Sequence, residues 1–342
     1  MHDSRFMRSA LQEARKGYGA TSPNPAVGCV IVSEGRIIAR GWHRRAGQPH
    51  AEIEALHALP DLMMAKGATL YVTLEPCCTH GRTPPCTEAI LAAGIRRVVV
   101  GATDPHPAHA GHGLEMLRER GIQVSEGVLQ KECVHLNRAF FKWITTGRPW
   151  VVAKAGLSLD GRIPRPLGEG PWLTGPAARR DAHRLRAAAD AILVGAGTLR
   201  ADDPALTVRE VALPEGKPQP WRVILSRGGS LLPADAKVFN DVHKERTLVF
   251  LNRRLDDVLL ELGVQRKVTS VLAEGGGEIL GALFDAGLVD EVCFYMAPLL
   301  CGGSRVAVGG VGAGTKMEAV QLLDPQYSRI GRDIRLTGIV RR

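Results

Sequence analysis

The chain has 342 residues and a formal net charge of +9, with 45% hydrophobic and 23% charged residues. At about 100–200 residues per domain, this length predicts two globular domains, and the composition excludes a disordered or fibrous protein. No apolar run approaches the roughly 20 residues of a membrane helix, and the N-terminus has no signal-peptide core. We therefore expect a cytoplasmic protein that does not bind membranes.

The charge and the cysteines indicate which partners to expect. Lysines and arginines are spread along the chain, without a long basic block or a basic stripe interleaved with aromatic residues. This favours sites for small anions, such as phosphorylated substrates and dinucleotides, over a nucleic-acid surface. The cysteines number seven, and three of them lie between residues 77 and 86. Such a distribution is typical of metal ligands and free thiols, not of a disulfide framework.

The first half of the chain alternates strand-like and helix-like stretches. A β-branched run at 26–33 predicts a strand, and Glu34-Gly35 predicts a hairpin turn into the next one. The predicted strands are 26–33, 36–40, 68–74, 97–100 and 122–125, and the predicted helices are 8–17, 51–59, 85–93, 113–120 and 130–144. This alternation predicts an α/β sandwich.

The segment 145–149 contains both Gly147 and Pro149 and is the best linker candidate. We therefore expect domains at 1–146 and 147–342. After the linker the alternation starts again, which predicts a second α/β domain. Its predicted strands are 150–155, 191–195, 221–226, 247–251, 268–273 and 291–297, with helices at 176–188 and 278–286.

The strongest chemical signal combines His50 with Cys77 and Cys86. Zinc prefers tetrahedral nitrogen and sulfur ligands, and a catalytic zinc site keeps its fourth position for water. Glu52, two residues after His50, is well placed to carry a proton from that water to a leaving amine. The pattern is that of zinc-dependent nucleobase deaminases.

Neighbouring features refine this zinc hypothesis. Helices expected to begin near residues 51 and 85 would direct their positive ends at the thiolates. Cys78 or His80 could compete for the metal, although Cys78 is expected to pack beside the site. A structural alternative, in which these are merely buried cysteines and a surface histidine, leaves the combined pattern unexplained.

The segment from Cys77 to Cys86 reads CCTHGRTPPC, which is longer than the Cys-x-x-Cys of most zinc deaminases. It resembles the bifunctional deaminase/reductase family of riboflavin biosynthesis, with Cys78 where a serine is expected. Further matches are Pro23-Asn24-Pro25 with Val27-Gly28, Gly41-Trp42-His43, Ala46-Gly47, Pro49-His50-Ala51-Glu52 and Thr73-Leu74-Glu75-Pro76.

The resemblance covers nearly the whole chain and carries several implications. It implies a cytidine-deaminase-like α/β/α sandwich followed by a dihydrofolate-reductase-like α/β domain. In the first domain it implies that Asn24 and His43 line the pyrimidine pocket. From the residues alone, Asn24 could equally be a turn residue between prolines, and His43 a solvated loop histidine.

The second half carries a glycine-rich turn, Ala273-Glu274-Gly275-Gly276-Gly277, between a predicted strand and helix. Glycines allow the backbone to approach a pyrophosphate, but the turn lacks the G-x-G-x-x-G spacing of a Rossmann domain. The resemblance implies an NADPH-dependent reductase. The cofactor contacts that it implies are Gly156, Trp172, Thr198, Asp202, Gly276 and Gly277, and the substrate contacts are Gly170, Arg186, Leu206, Arg209 and Glu274. Ser226, at the end of a predicted strand, is a further candidate for contact with the cofactor.

Some of these residues have physical arguments of their own. Arg186 and Arg209 suit phosphate, because a guanidinium fork matches phosphate oxygens, although both could be solvated surface residues. Trp172 could instead be a core aromatic, and Asp202 could brace a turn. Gly170 stands where the family often has a serine, so a hydroxyl contact to substrate is lost or replaced by backbone.

The resemblance thus implies two consecutive reactions. The first is zinc-dependent deamination of 2,5-diamino-6-(5-phosphoribosylamino)pyrimidin-4(3H)-one, with one Zn²⁺ per chain. The second is reduction of the ribosyl group to a ribityl chain by NADPH. The resemblance also implies a homo-oligomer, a dimer or tetramer. Alternatives are a tRNA or polynucleotide deaminase, a non-catalytic metal-binding scaffold, and a chain in which one half is inactive.

Overall fold

The structure is a computed structural model that describes residues 2–79, 84–107, 109–163, 172–228 and 232–341. Contacts between residues divide the chain into two compact units, Met1–Gly147 and Arg148–Arg342. His80 and Gly170, which the sequence analysis considered as site residues, lie outside the described residues. In the part of the chain that the structure describes, no helix is both long and apolar enough to span a membrane.

Among the described residues of the first unit, five strands form one sheet. The strands are β1 (Gly28–Ser33), β2 (Arg36–Trp42), β3 (Thr69–Leu74), β4 (Arg97–Ala102) and β5 (Gln123–Ser125). The helices are α1 (His2–Lys16), α2 (Ala51–His57), α3 (Cys86–Ala92), α4 (His112–Glu119), α5 (Gln130–Leu136) and α6 (Arg138–Thr146). The strand order is β2-β1-β3-β4-β5, in which β1 is antiparallel to β2 and β3, and β3, β4 and β5 are parallel.

Helices cover both faces of this sheet, which explains why β1, β3 and β4 are almost entirely buried. One core contains apolar residues of α1 and α5 together with Val30 and Val99. The other core contains residues of α2, α3 and α4 together with Ile31 and Val98. Alternate residues of one strand thus enter opposite cores. The predicted α/β/α sandwich of the first domain is confirmed.

One helix prediction was wrong in detail. The stretch 130–144, predicted as a single helix, is divided at Asn137 into α5 and α6. The Asn137 side chain is buried, accepts from the backbone N–H of Ala26 at 2.8 Å and donates to its carbonyl at 2.9 Å. This pairing with a distant segment fixes Asn137 at φ −106°, outside the range of a continuous α-helix. Helical periodicity does not report such a tertiary contact.

Two glycines allow helices to lie unusually close to the sheet. A Cβ at Gly41 would lie 2.3 Å from the Ala51 carbonyl oxygen and 2.3 Å from the Ala55 nitrogen, both in α2. A Cβ at Gly28 would lie 2.1 Å from the Ala10 carbonyl oxygen in α1, against the other face. Gly41 therefore determines how closely the start of α2, which follows His50, approaches the sheet.

In the described part of the second unit, eight strands form another sheet. They are β6 (Trp150–Ser158), β7 (Ala191–Gly195), β8 (Trp221–Ser226), β9 (Thr247–Leu251), β10 (Ser270–Ala273), β11 (Glu291–Ala297), β12 (Leu322–Ile330) and β13 (Asp333–Val340). The helices are α7 (Pro176–Ala188), α8 (Ala196–Asp202), α9 (Lys237–Asn240), α10 (Leu255–Arg266) and α11 (Gly277–Asp285). The strand order is β12-β13-β11-β6-β10-β7-β8-β9.

Strands β11, β6, β10, β7, β8 and β9 run parallel, whereas β13 and β12 are antiparallel additions at one edge. The main core packs apolar residues of β6, β7, β10 and β11 against α10 and α11. The predicted mixed α/β fold of the second domain is confirmed. Strands β12 and β13 were not predicted from the sequence pattern, because β12 is mostly exposed and lacks a clear apolar alternation.

We expect Gly41→Ala to destabilise the first unit by about 1–3 kcal/mol, because its methyl group would overpack against α2. It should also reduce the metal bound per chain, since the start of α2 would move away from the sheet. Thermal unfolding and elemental analysis would measure the two effects. Gly28→Ala is the matched control, with similar overpacking against α1 and no loss of metal. Equal metal loss in both variants would contradict this account.

Candidate active site

The predicted zinc ligands meet in the first unit. His50 directly precedes α2, Cys77 follows β3, and Cys86 is the first residue of α3. His50 Nδ1 lies 3.5 Å from Cys77 Sγ and 3.3 Å from Cys86 Sγ, and the three ligand atoms lie within 4.8 Å of one another. For a tetrahedral site with ordinary Zn–N and Zn–S bonds, the nitrogen–sulfur separation would be about 3.5 Å. The donor set therefore fits zinc.

The surroundings of Cys77 favour its thiolate form, which is the form that binds metals. The backbone N–H of Cys86, at the start of α3, donates to Cys77 Sγ at 3.3 Å. Hydrogen bonds from the Cys86 thiol and from His50 lower the pKa of Cys77 well below its usual range. The expectation that a helix start near residue 85 would support a thiolate agrees with this geometry.

Glu52 lies in the first turn of α2 and is 3% exposed. Burial raises the pKa of its carboxyl to about 7, although the neighbouring His50 opposes this effect. A carboxyl with a pKa near neutrality can both accept and release a proton during a reaction. A buried carboxyl that can exchange protons thus lies beside the three ligands.

Asn24 and His43 are also brought to this site. Asn24 Nδ2 donates to His43 Nε2 at 3.1 Å, so the other ring nitrogen of His43 carries the proton and donates to the Pro49 carbonyl at 3.0 Å. Burial lowers the pKa of His43, which favours this neutral form. The His43 ring centre lies 5.3 Å from that of His50. The solvated-loop interpretation of His43 is wrong, because the residue is 2% exposed.

Glu75 is a residue of this site that the sequence analysis did not single out. It stands two positions before Cys77 and is buried. Its carboxylate accepts hydrogen bonds from the backbone N–H groups of Asp104 at 3.1 Å, Gly111 at 2.9 Å and Gly113 at 2.9 Å. Glu75 therefore ties the turn that carries Cys77 to the segment between β4 and α4 and to the first turn of α4. Its presence in the Thr-Leu-Glu-Pro match was the available signal.

Cys78 is only partly buried and does not belong to the cluster of ligand atoms found among the described residues. Burial raises the pKa of its thiol, which disfavours the thiolate that a metal would need. This agrees with the expectation that Cys78 packs beside the site.

In the second unit, a cavity of about 860 Å³ opens at the carboxyl ends of the parallel strands β6, β10, β7 and β8, the usual ligand site of such sheets. Its lining includes every residue that the sequence analysis proposed for the cofactor: Gly156, Trp172, Thr198, Asp202, Ser226, Gly276 and Gly277. Trp172 is 51% exposed, so the core-aromatic interpretation is wrong.

The glycine-rich turn before α11 has two structural roles. A Cβ at Gly277 would lie 2.2 Å from the Val306 carbonyl oxygen, so the neighbouring chain requires glycine there. At Gly276 the nearest atom to such a Cβ would be Thr198 Oγ1 at 3.7 Å, and the Gly276 N–H donates to that same oxygen at 3.2 Å. The turn is thus open at Gly276, directly before α11. The N-terminal N–H groups of α11 can be offered to a phosphate there.

Arg186 and Glu274 also line the cavity, where they form a buried ion pair. Arg186 Nε and Nη2 donate to Glu274 at 2.7 and 2.8 Å, and Arg186 Nη1 donates to the Thr207 carbonyl at 3.0 Å. Although burial opposes it, Arg186 and Lys154 lower the pKa of Glu274 to about 2. Much of the hydrogen-bonding capacity of Arg186 is therefore already used within the protein.

The remaining substrate candidates lie beside the cavity. Within the described residues, Leu206 and Arg209 are not part of its lining. Leu206 is 2% exposed and has φ +51°, so it fixes the conformation of its loop. Arg209 Nη1 donates to Thr207 Oγ1 at 3.1 Å. Gly170 cannot be placed, since it lies outside the described residues.

These two sites are those of a zinc-dependent deaminase unit followed by a reductase unit. Comparisons with known proteins support the same assignment for both units. Residues 1–102 match the cytidine and deoxycytidylate deaminase zinc-binding region, and residues 149–336 match the RibD C-terminal domain. The riboflavin biosynthesis protein RibD of Escherichia coli is 44% identical, with 88% of this chain and 89% of that protein covered. The chain belongs to the RibD family.

The similarity to other relatives extends over essentially the whole length of this chain. RibD of Mycobacterium tuberculosis is 38% identical, with 98% of this chain and 96% of that protein covered. The solved structure of Acinetobacter baumannii RibD is 39% identical and has a TM-score of 0.90, with coverage of 100% and 99%. The chain is thus a bifunctional enzyme of riboflavin biosynthesis, a deaminase and a reductase. Zinc and a nicotinamide cofactor are the corresponding cofactors.

We expect Glu75→Gln to loosen the segment 104–113, because an amide has one acceptor oxygen where the carboxylate has two. At least one buried N–H group would lose its acceptor, at a cost of about 1–3 kcal/mol. Amide hydrogen exchange should accelerate at Asp104, Gly111 or Gly113, and thermal unfolding should occur at lower temperature. Glu115→Gln, at an exposed position of α4, is the matched control. Unchanged exchange in Glu75→Gln would refute the role given to this carboxylate.

Proposed function

We propose that residues 1–146 deaminate 2,5-diamino-6-(5-phosphoribosylamino)pyrimidin-4(3H)-one and that residues 147–342 then reduce the ribosyl group with NADPH. The observation that carries this proposal is the meeting of His50, Cys77 and Cys86 beside a buried Glu52. Support also comes from a Thermotoga maritima structure, 34% identical with 99% coverage of both chains and a TM-score of 0.86. It is described as a diaminohydroxyphosphoribosylaminopyrimidine deaminase/5-amino-6-(5-phosphoribosylamino)uracil reductase.

In the deaminase unit, His50, Cys77 and Cys86 would hold one zinc ion per chain. Bound zinc supplies a Lewis acid that makes water acidic enough to act as a nucleophile near neutral pH. Asn24 and His43 would hold the pyrimidine, with the tautomer of His43 fixed by Pro49. The reaction forms a carbon–oxygen bond and breaks the carbon–nitrogen bond to the amine. Glu52 would receive the proton of water and deliver it to that amine, so that ammonia leaves.

In the reductase unit, the cavity residues would orient cofactor and substrate. NADPH supplies the hydride when it is bound. The cofactor contacts would be Gly156, Trp172, Thr198, Asp202, Ser226, Gly276 and Gly277. The substrate contacts would be Arg186 and Glu274 in the lining and, from the loop beside it, Leu206 and Arg209. The reduction adds a hydride to the anomeric carbon and a proton to the ring oxygen, which opens the ribose ring. The Arg186–Glu274 pair would keep the substrate end of the cavity rigid.

The family resemblance extends this proposal to assembly and location. The enzyme would be a homo-oligomer, a dimer or tetramer, and would act in the cytoplasm. A tRNA or polynucleotide deaminase is disfavoured, since relatives named as riboflavin biosynthesis proteins match both halves. A non-catalytic scaffold is disfavoured because it would have no need of Glu52 beside the ligands.

Mass spectrometry of purified protein incubated with the diaminopyrimidine substrate would test both reactions together. Without NADPH, we expect an amino group to be replaced by oxygen and ammonia to be released. With NADPH, we expect the product to gain two further hydrogens while the cofactor is oxidised. Reduction without prior or subsequent deamination would mean that the deaminase half is inactive, contrary to the proposal.

Glu52→Gln tests the proton-transfer role separately. We expect ammonia release to fall by about 10²–10⁴-fold, the usual contribution of general acid–base catalysis. Zinc should stay bound, because Glu52 is not a ligand. NADPH oxidation with the deaminated compound as substrate should be unchanged and serves as the internal control. Undiminished ammonia release from Glu52→Gln would exclude this role for Glu52.

A further inference from the structure

His183 is a buried group of the reductase unit to which the reaction described above gives no role. It lies on α7 and is 4% exposed, yet it belongs to the lining of the cavity. Arg179 and Arg186 of the same helix also line the cavity. The spacing of four and then three residues places all of them on one face of α7. This face presents hydrogen-bond donors to whatever occupies the cavity.

One nitrogen of the His183 ring already has a hydrogen-bond partner within the protein. The backbone N–H of Arg209 donates to His183 Nδ1 at 3.2 Å. An accepting Nδ1 places the proton of a neutral imidazole on Nε2. Burial, together with the charge of Arg186, lowers the pKa of His183, which is consistent with a neutral ring. His183 is therefore a hydrogen-bond donor through Nε2, and its tautomer is fixed by the backbone.

That donor remains available to a ligand. Nowhere in the described part of the chain does His183 Nε2 have a hydrogen-bond partner. The neighbouring Arg186 is held by Glu274 and the Thr207 carbonyl. The guanidinium of Arg179 lies 5.3 Å from the ring centre of Trp172, a proposed cofactor contact. His183 thus lies along α7 between a residue associated with the cofactor and one associated with the substrate.

We propose that His183 contacts the phosphoribosyl substrate, with Nε2–H donating to an oxygen of its phosphorylated sugar. A face of α7 made of donors, next to Lys154, suits a ligand that is anionic and rich in oxygen. The same ring accepts a hydrogen bond from the Arg209 backbone N–H. His183 would therefore connect the loop that contains Leu206 and Arg209 to the ligand. This inference rests on the reductase function proposed above.

Two variants distinguish the roles of the two ring nitrogens of His183. In His183→Asn, the amide oxygen can take the place of Nδ1 and accept from Arg209, but the side chain is too short to replace Nε2. In His183→Gln, the amide nitrogen can reach the position of Nε2, but no acceptor stands at Nδ1. We expect His183→Asn to raise the KM for the deaminated pyrimidine roughly tenfold, the value of one hydrogen bond. His183→Gln should recover most of this loss.

The KM for NADPH should stay unchanged in both variants, and so should ammonia release by the other unit. His243→Asn, a histidine of the same unit outside the cavity lining, is the matched control and should behave as wild type. An unchanged substrate KM in His183→Asn would overturn the inference, and so would a change confined to the KM for NADPH. If the wild-type protein fails to oxidise NADPH with this substrate, the proposed reductase function fails first, and the inference with it.

Discussion

Two thiols and an imidazole can share one metal ion only if three separate stretches of chain end within a few ångströms of one another. In this enzyme the sheet of the first unit meets that requirement. Cys77 follows the buried strand β3, while His50 and Cys86 stand at the starts of α2 and α3. The closeness of α2 to the sheet depends on Gly41, and the turn before Cys77 is held by Glu75. The geometry of the zinc site therefore depends on residues around it that do not bind the metal themselves.

The second unit uses the same principle with a different chemistry. Parallel strands end at one edge of the sheet, and the turns that follow them line a single cavity. There, the buried Arg186–Glu274 pair stabilises the cavity wall by satisfying two charges that would otherwise be costly to bury. Because that pair uses much of Arg186, other donors become important for binding the substrate. His183, with its fixed tautomer, is such a donor.

The sequence was most informative where function leaves a local pattern. His50 and Glu52 are two residues apart, and the stretch from Cys77 to Cys86 is short, so the deaminase chemistry could be predicted. Contacts between distant segments of the chain could not be predicted in this way. The pairing of Asn24 with His43, the interruption of a helix at Asn137 and the hydrogen bonds of Glu75 depend on tertiary structure. Periodicity also missed β12 and β13, whose residues are mostly exposed or half-buried.

X-ray absorption at the zinc edge would show whether two cysteines and a histidine hold the metal, because it reports the metal's ligands in the intact protein. We expect stoichiometric zinc with two sulfur neighbours at about 2.3 Å and nitrogen or oxygen neighbours at about 2.0–2.1 Å. In Cys86→Ser, one sulfur neighbour should be lost. A zinc ion surrounded by nitrogen and oxygen alone, or a protein that does not bind zinc when it is supplied, would show that Cys77 and Cys86 do not form this metal site.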